Sequence, residues 1–408
     1  MAGTMPHDKI KAAARGRMAL TGESYSDARR KVIAERQAQT GLLLFPEPDV
    51  ARDGPLGWAE PSVNFLLEST RPVAAAGRAN VNAWYSRFPD PDGSFGARLI
   101  SPRGTDHEVA LDELLLHERL AQKARVSYEE DGQGPDFRLY QGDKYLGAIE
   151  VMSLFMEHGW SEVQARHGRI ADELNGRLTL DRWWIYFEVV QRDRDPSAKA
   201  LASWVSRVID QLPDPAKSNT REHHRTYTVN GVRLSFTFTP CKLDPAGPRG
   251  RIVGPGPVIG GFVKSAKRLR ITLQKKAGGR YDLRDRPFAI CVGAHDPFCS
   301  LDEIEAALYG NEQYEAATMA QSRARNGLFG RGPGEPEGKN TRISCIFVMS
   351  NWHPWEPKKA RLIRLDNPFA AYPFPDGIPA VDAQVARVDH ANGRISFEWL
   401  PARPVDTW

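Results

Sequence analysis

The sequence predicts an α/β protein built around one mixed sheet flanked by helices. Segments with apolar residues three or four positions apart alternate with short runs of β-branched and aromatic residues, which is the pattern of alternating helices and strands. Stretches rich in Gly and Pro, at 41–62, 240–257 and 327–340, separate these segments as loops. At 408 residues the chain is long enough for more than one core, so the length predicts two or three domains, with one elaborated α/β domain as the alternative.

The first 40 residues predict a basic helical hairpin. A helix over 8–20 ends at Thr21-Gly22-Glu23, and Ser24 can cap a second helix. Such an arm can bind nucleic acid, or it can serve as a docking or oligomerisation element. We expect a linker at 41–62, a core with insertions at 63–310, and a C-terminal extension packing on that core at 311–408.

The core elements follow from local patterns. The sequence predicts helices at 110–124, 162–178, 198–212, 258–277 and 301–309. It predicts strands at 137–140, 145–154, 183–191, 286–292 and 342–349, and a hairpin over 227–239. Asn230-Gly231 marks the turn of that hairpin, since this dipeptide favours the positive φ angles of a tight turn.

An acidic pair in the first predicted strand pair carries the clearest chemistry. Asp136 starts one strand, and Glu150 lies on the neighbouring strand. Two carboxylates that converge across such a pair can hold Mg²⁺ or Mn²⁺, with the main-chain carbonyl of Val151 as a third ligand. A bound cation would polarise a phosphate and lower the pKa of a bound water. The pair can also be structural, with Asp136 as a turn residue and Glu150 paired with an arginine.

Position 152 lacks the side chain that this chemistry would use. Residues 150 and 152 of a strand point to the same face, so a lysine at 152 would stand beside the metal. The residue is Met152, which can neither orient water nor offset negative charge.

Several segments together resemble the PD-(D/E)xK nuclease superfamily, and within it a group of bacterial restriction-endonuclease-like proteins. The segments extend from Asn82 to Pro373. They are Asn82-Ala83-Trp84-Tyr85, Asp112-Glu113-Leu114-Leu115-Leu116-His117, Pro135-Asp136-Phe137, Ile149-Glu150-Val151, Lys276-Ala277-Gly278-Gly279-Arg280-Tyr281, Asp285-Arg286-Pro287-Phe288, Asp302-Glu303-Ile304, Ala307-Leu308-Tyr309-Gly310 and Asn367-Pro368-Phe369.

The resemblance implies a restriction-endonuclease-like fold and roles for particular residues. Asp136 and Glu150 would hold the metal, and Glu113 would be the acidic residue lent by the first core helix. Lys276 is the first candidate to replace the missing lysine, and Lys144 is the second. From its charge, independently of the resemblance, a basic stretch can bind the phosphate backbone of nucleic acid, or it can be a solvated helix face. Its residues are Lys264, Lys267, Arg268, Arg270 and Lys275.

Three functions follow from this sequence. The first is a metal-dependent nuclease acting on DNA, or alternatively RNA, in restriction or phage defence. The second is a degenerate nuclease fold that binds nucleic acid or a partner without cutting, which Met152 favours. The third is a structural protein in which the acidic pair is incidental. Nucleases of this fold often dimerise, so a homo-oligomer is compatible with the resemblance.

Cysteine content and hydropathy indicate the cellular compartment that we expect for this protein. The four cysteines are scattered, with no CxxC pair, so we expect reduced thiols in a cytoplasmic protein and no structural zinc site. The sequence contains neither a secretory leader pattern nor an apolar run long enough for a transmembrane helix, so no membrane partner is expected.

Overall fold

The fold is described from a computed structural model. It describes residues 15–18, 20–22, 43–48, 52, 54–90, 92–129, 134–155, 158–178, 182–214, 222–241, 252–256, 265–277, 285–296, 299–315, 320–324, 326–330, 338–379, 381–389 and 394–400.

Helices come first in the described chain, strands and helices then alternate, and strands come last. The helices are α1 (Val63–Glu68), α2 (Pro72–Tyr85), α3 (Ser94–Leu99), α4 (Gly104–Ala121), α5 (His158–Asn175), α6 (Ala198–Gln211), α7 (Ser265–Ala277) and α8 (Leu301–Tyr309). The strands are β1 (Arg125–Tyr128), β2 (Phe137–Gln141), β3 (Lys144–Leu154), β4 (Trp183–Arg192), β5 (His223–Val229), β6 (Val232–Pro240), β7 (Val253–Pro255), β8 (Phe288–Ala294), β9 (Glu312–Glu315), β10 (Ala320–Arg323), β11 (Cys345–Ser350), β12 (Arg361–Asp366), β13 (Asp382–Asp389) and β14 (Arg394–Leu400).

The chain divides into two compact units. The first comprises Met1–Glu47, Pro72–Phe155 and Val263–Trp408, and the second comprises Pro48–Arg71 and Met156–Phe262. The second unit is therefore inserted into the first as two segments, a short one before α2 and a longer one between β3 and α7.

The first unit contains a large mixed sheet flanked by helices. Its eight strands lie in the order β1-β2-β3-β8-β11-β12-β13-β14. Strands β3, β8 and β11 are parallel neighbours, and β2 pairs with β3 antiparallel. Strands β11 to β14 come from the stretch predicted as a C-terminal extension, and β11 and β12 are interior strands of this sheet.

Strand β3 lies inside the sheet because its sequence is apolar on both faces. Its residues from Leu146 to Met152 are all buried, which is typical of a strand covered on two sides. Helix α7 packs its apolar stripe, Leu269, Leu273 and Ala277, into the same buried cluster as Met152. These three residues recur every fourth position, so they share one face of the helix.

The second unit has its own sheet and core. Its four strands lie in the order β5-β6-β4-β7, and Phe187, Phe236 and Phe238 are buried in it. The β5–β6 hairpin turns at Asn230 and Gly231, with φ angles of 49° and 78°, so the sequence prediction of this hairpin is confirmed.

The structure changes several of these expectations. The strand at 183–191 and the 227–239 hairpin were expected in one common sheet, but they form the separate sheet of the second unit. Local patterns identify strands, whereas strand partners depend on contacts distant in sequence. The helix expected at 258–277 is described from Ser265, because 257–264 lie outside the described residues.

The structure describes only part of the predicted N-terminal hairpin. Residues 15–18 and 20–21 are helical, as expected for the first helix, and the second helix of the hairpin lies outside the described residues. Within the predicted linker, Phe45 is buried and its N–H donates to the Asn82 side chain at 2.9 Å.

Candidate active site

The candidate site lies in the first unit, where β2 begins beside the middle of β3. The register pairs Phe137 with Ile149, so Asp136, one residue before β2, comes opposite Glu150 when the ladder is continued. The Oδ2 atom of Asp136 accepts the main-chain N–H of Val151 at 2.6 Å. The strand pair therefore brings together the two carboxylates that the sequence singled out.

The surroundings of the Asp136 carboxyl disfavour its ionised form. Burial raises the pKa of its carboxyl well above the usual value, and the neighbouring charges of Glu113 and Glu150 raise it further. The hydrogen bond from Val151 and the charge of Lys276 act in the opposite direction but do not compensate. A buried group of carboxylates in this state would gain from an added positive charge.

Lys276 lies directly at this acidic pair. Its Nζ donates to Oε1 of Glu150 across 126 residues of sequence, so α7 delivers an ammonium group to the middle of β3. The Glu150 side chain is 3% exposed and that of Lys276 is 30% exposed, so the pair lies at the edge of the buried region. The other candidate, Lys144, is exposed at the start of β3 opposite Gln141, remote from Glu150 along the strand.

Met152 explains how the lysine arrives from a helix. Its side chain is buried in the cluster that includes Leu273 and Ala277 of α7. The packing seats the last turn of α7 over the face of β3 that carries residues 150 and 152. An apolar residue at position 152 therefore anchors the helix whose Lys276 reaches Glu150.

Glu113 is also brought near the pair, but it is held by other groups. Arg98 donates to both of its carboxylate oxygens, at 2.5 and 3.0 Å, and the Tyr128 hydroxyl donates at 2.9 Å. Burial raises the pKa of Glu113, and Arg98 counteracts that rise. Sequence reasoning missed Arg98 and Tyr128, since no local motif marks either residue.

The basic residues of α7 divide into two groups. Arg268 binds Asp296 at 3.1 Å and the carbonyl of Phe155, and Arg270 binds the carbonyl of Asn326. Lys267 and Lys275 are exposed. Lys264, the remaining member of the predicted phosphate-binding stretch, lies outside the described residues.

His117 and Cys299, two further residues with reactive side chains, are poor candidates for chemistry. His117, one turn after Glu113 on α4, is buried between the rings of Phe88 and Phe137, and burial lowers its pKa to about 4. Burial likewise raises the pKa of the Cys299 thiol to about 12, so this cysteine is protonated at neutral pH.

The donor set at the site suits a cation that keeps water ligands. Among the described residues, no three or more His, Cys, Asp and Glu side chains are grouped so that they could hold a metal ion. Mg²⁺ and Mn²⁺ accept one or two carboxylates with the remaining positions filled by water and substrate, whereas structural zinc requires four protein ligands. Asp136 and Glu150 fit the first kind of ion.

Comparisons with known protein families, with curated proteins and with solved structures find no match to this chain. Within the described residues, no helix is both long and apolar enough to cross a membrane. The four cysteine thiols are free.

Proposed function

We propose that the chain is a metal-dependent nuclease that hydrolyses phosphodiester bonds in DNA. Asp136 and Glu150 would hold Mg²⁺ or Mn²⁺, and Lys276 would take the place of the lysine that is absent at position 152. The observation that carries the proposal is the contact between Lys276 Nζ and Glu150 Oε1. It supplies, from a helix, the one group that the strand sequence lacks.

Each residue of the site has a distinct role in this proposal. When bound, the cation supplies a Lewis acid for the phosphate and a water of lowered pKa. The N–H of Val151 fixes the Asp136 carboxylate through its Oδ2 atom. Lys276 keeps an ammonium group beside Glu150, where it can orient the attacking water and offset the negative charge of the transition state.

Glu113 would act on the site through its charge. It is bound by Arg98 and Tyr128, so it is not free to move toward a phosphate. Its negative charge nevertheless raises the pKa of Asp136, and it therefore increases the benefit of binding a cation there.

A second function, binding without cleavage, is favoured by the same contacts. Glu150 and Glu113 are each paired with a cation of the protein itself, Lys276 and Arg98. A core whose acidic residues are neutralised internally can keep its shape without metal. In that case the site would be a remnant, and the protein would bind nucleic acid or a partner.

Cleavage assays distinguish the two functions. Plasmid DNA, single-stranded DNA and RNA would be incubated with purified protein and Mg²⁺ or Mn²⁺. Asp136→Asn, Glu150→Gln and Lys276→Ala should each lower the cleavage rate of the preferred substrate about 100-fold or more. Lys199→Ala is the control, because Lys199 is an exposed lysine on α6 of the second unit, and it should retain most activity.

Two results of these assays would contradict the proposal. If the wild-type protein cuts none of these substrates but binds DNA with an affinity that falls steeply with salt, the binding function replaces the nuclease. If Lys276→Ala cuts as fast as Lys199→Ala, Lys276 has no part in cleavage.

A further inference from the structure

A second polar cluster lies in the first unit, around the buried carboxylate of Asp112 on α4. Three donors meet it: Ser153 Oγ at 2.6 Å, His295 Nε2 at 2.7 Å and Trp352 Nε1 at 3.1 Å. Ser153 is near the end of β3, His295 directly follows β8, and Trp352 comes soon after β11. Since these strands are parallel neighbours, the cluster marks one edge of the sheet, their carboxyl ends, where open α/β sheets commonly bind ligands.

The cluster holds the His295 imidazole in a defined orientation. The ring stacks on Phe155 with centroids 5.0 Å apart and planes inclined by 13°. Gly293 of β8 leaves the space that the Asp112 carboxylate occupies, since a Cβ there would collide with both carboxylate oxygens. The His295 side chain remains 23% exposed, whereas that of Asp112 is fully buried.

This arrangement prepares the histidine for proton transfer. When the imidazole is neutral, the carboxylate of Asp112 favours the proton on Nε2 and leaves Nδ1 as the basic nitrogen. Burial acts to lower the pKa of His295, but the hydrogen bond and charge of Asp112, together with the charge of Glu108, raise it above its usual value.

The cluster is separate from the acidic pair. Ser153 is three residues from Glu150 on β3, so the two side chains point to opposite faces of the strand. Glu150 meets α7 on one face, and Ser153 meets α4 on the other.

We propose that Asp112 and His295 form a second catalytic pair that hydrolyses a neutral carboxylic ester without a metal ion. His295 Nδ1 takes a proton from water as the water oxygen bonds to the acyl carbon. The ester C–O bond then breaks, the leaving oxygen keeps the electron pair, and it recovers the proton from Nδ1. Asp112 is a positioning residue, because it acts only through the imidazole.

Charge at the cluster favours a neutral ester over a phosphate. Arg268 of α7, which donates to the carbonyl of Phe155, is paired with the buried Asp296. Glu108 adds negative charge near His295, and the Phe155 ring offers an apolar surface. A phosphate would meet no uncompensated positive charge among these groups, whereas an acyl or aryl ester would meet an aromatic wall.

The test is hydrolysis of p-nitrophenyl acetate by the full chain in the presence of EDTA. Wild type should release p-nitrophenol about 10-fold or more faster than His295→Gln. His353→Gln is the matched control, because His353 is an exposed histidine that stacks on Trp355, and it should match wild type. Equal rates for wild type and His295→Gln would overturn the proposal.

Further variants separate this pair from the acidic pair and test the role of Asp112. Asp136→Asn should leave ester hydrolysis unchanged, and a parallel loss would place the activity at the acidic pair. Asp112→Asn should move the midpoint of the pH–rate profile to lower pH, which a purely structural loss would not do. If Asp112→Asn fails to fold, the nitrogen NMR shifts of His295 in the wild type decide, since the proposal requires the proton on Nε2 in the neutral ring.

Discussion

At the scale of single residues, the buried carboxyl of Asp136 has a pH-dependent effect on stability. Its carboxyl pKa is raised by burial and by Glu113 and Glu150. A raised pKa in the folded state means that stability from this group is present at low pH and is lost as pH rises through the folded pKa. Ionised Asp136 therefore costs stability at neutral pH in the absence of a cation.

Asp136→Asn should consequently stabilise the metal-free protein at pH 7 by on the order of 1 kcal/mol. The amide oxygen can still accept the Val151 N–H, and the repulsion is gone. The gain should vanish near pH 4, where the aspartate is protonated. Thermal unfolding at the two pH values measures this, with Asp143→Asn in the exposed β2–β3 turn as a control that should change nothing. Destabilisation by Asp136→Asn at pH 7 would contradict the account.

His117 gives a second prediction at this scale. Burial lowers its pKa to about 4, below the usual value near 6.5, so folding loses stability as pH falls from 6.5 toward 4. His117→Phe should remove an acid sensitivity of about 2 kcal/mol between pH 8 and pH 5. Urea unfolding at both pH values measures it, with the exposed His353→Phe as control. An unchanged difference between the two pH values would show that His117 is not held neutral.

At the scale of elements, α7 combines an apolar stripe with basic side chains in one helix. Its apolar stripe packs on β3, Lys276 reaches Glu150, and Lys267 and Lys275 remain exposed. Because Arg268 and Arg270 are bound within the protein, only these two described lysines of the helix are available to phosphates without breaking such contacts.

The double variant Lys267→Ala, Lys275→Ala should weaken DNA binding and reduce the slope of log K against log salt by about 2. Fluorescence anisotropy at several salt concentrations measures the slope. Lys199→Ala, on the exposed face of α6, is the control and should leave the slope unchanged. An unaltered slope in the double variant would show that these two lysines do not bind DNA phosphates.

The β5–β6 hairpin allows a prediction about an element that sequence identified well. Gly231 has a φ of 78°, and a Cβ there would also meet the Asp193 side chain. Gly231→Ala should therefore destabilise the protein by about 1–2 kcal/mol. Gly104→Ala, which has open space and no positive φ, is the control in thermal unfolding. Equal melting temperatures for the two variants would contradict the turn geometry.

At the scale of the whole molecule, the central sheet is assembled from distant parts of the chain. Strand β8 lies between β3 and β11, which come from opposite sides of it in sequence. Removal of residues 311–408 would take away β11 to β14 and leave β8 as an unprotected edge. We expect such a truncated protein to be insoluble or to lack a cooperative unfolding transition, as measured by circular dichroism. A soluble, cooperatively folding product would contradict this sheet order.

Separation along the chain decides which of these features the sequence could predict. The β2–β3 pair and the Asn230-Gly231 turn were predicted because their patterns are local. The contact of Lys276 with Glu150 spans 126 residues, and that of His295 with Asp112 spans 183. The first was one of two candidates, suggested by resemblance. The second had no local pattern, because two side chains meet only after α4 has packed on the ends of β3 and β8.

The measurement that tests the central claim most directly is Mn²⁺ binding, followed by electron paramagnetic resonance on the purified protein. The account predicts that wild type binds Mn²⁺ at a site that is lost in Asp136→Asn and in Glu150→Gln. It should persist in Glu312→Gln, an exposed carboxylate on β9. Mn²⁺ binding that is absent from wild type, or that survives both substitutions, would contradict a metal site at the acidic pair.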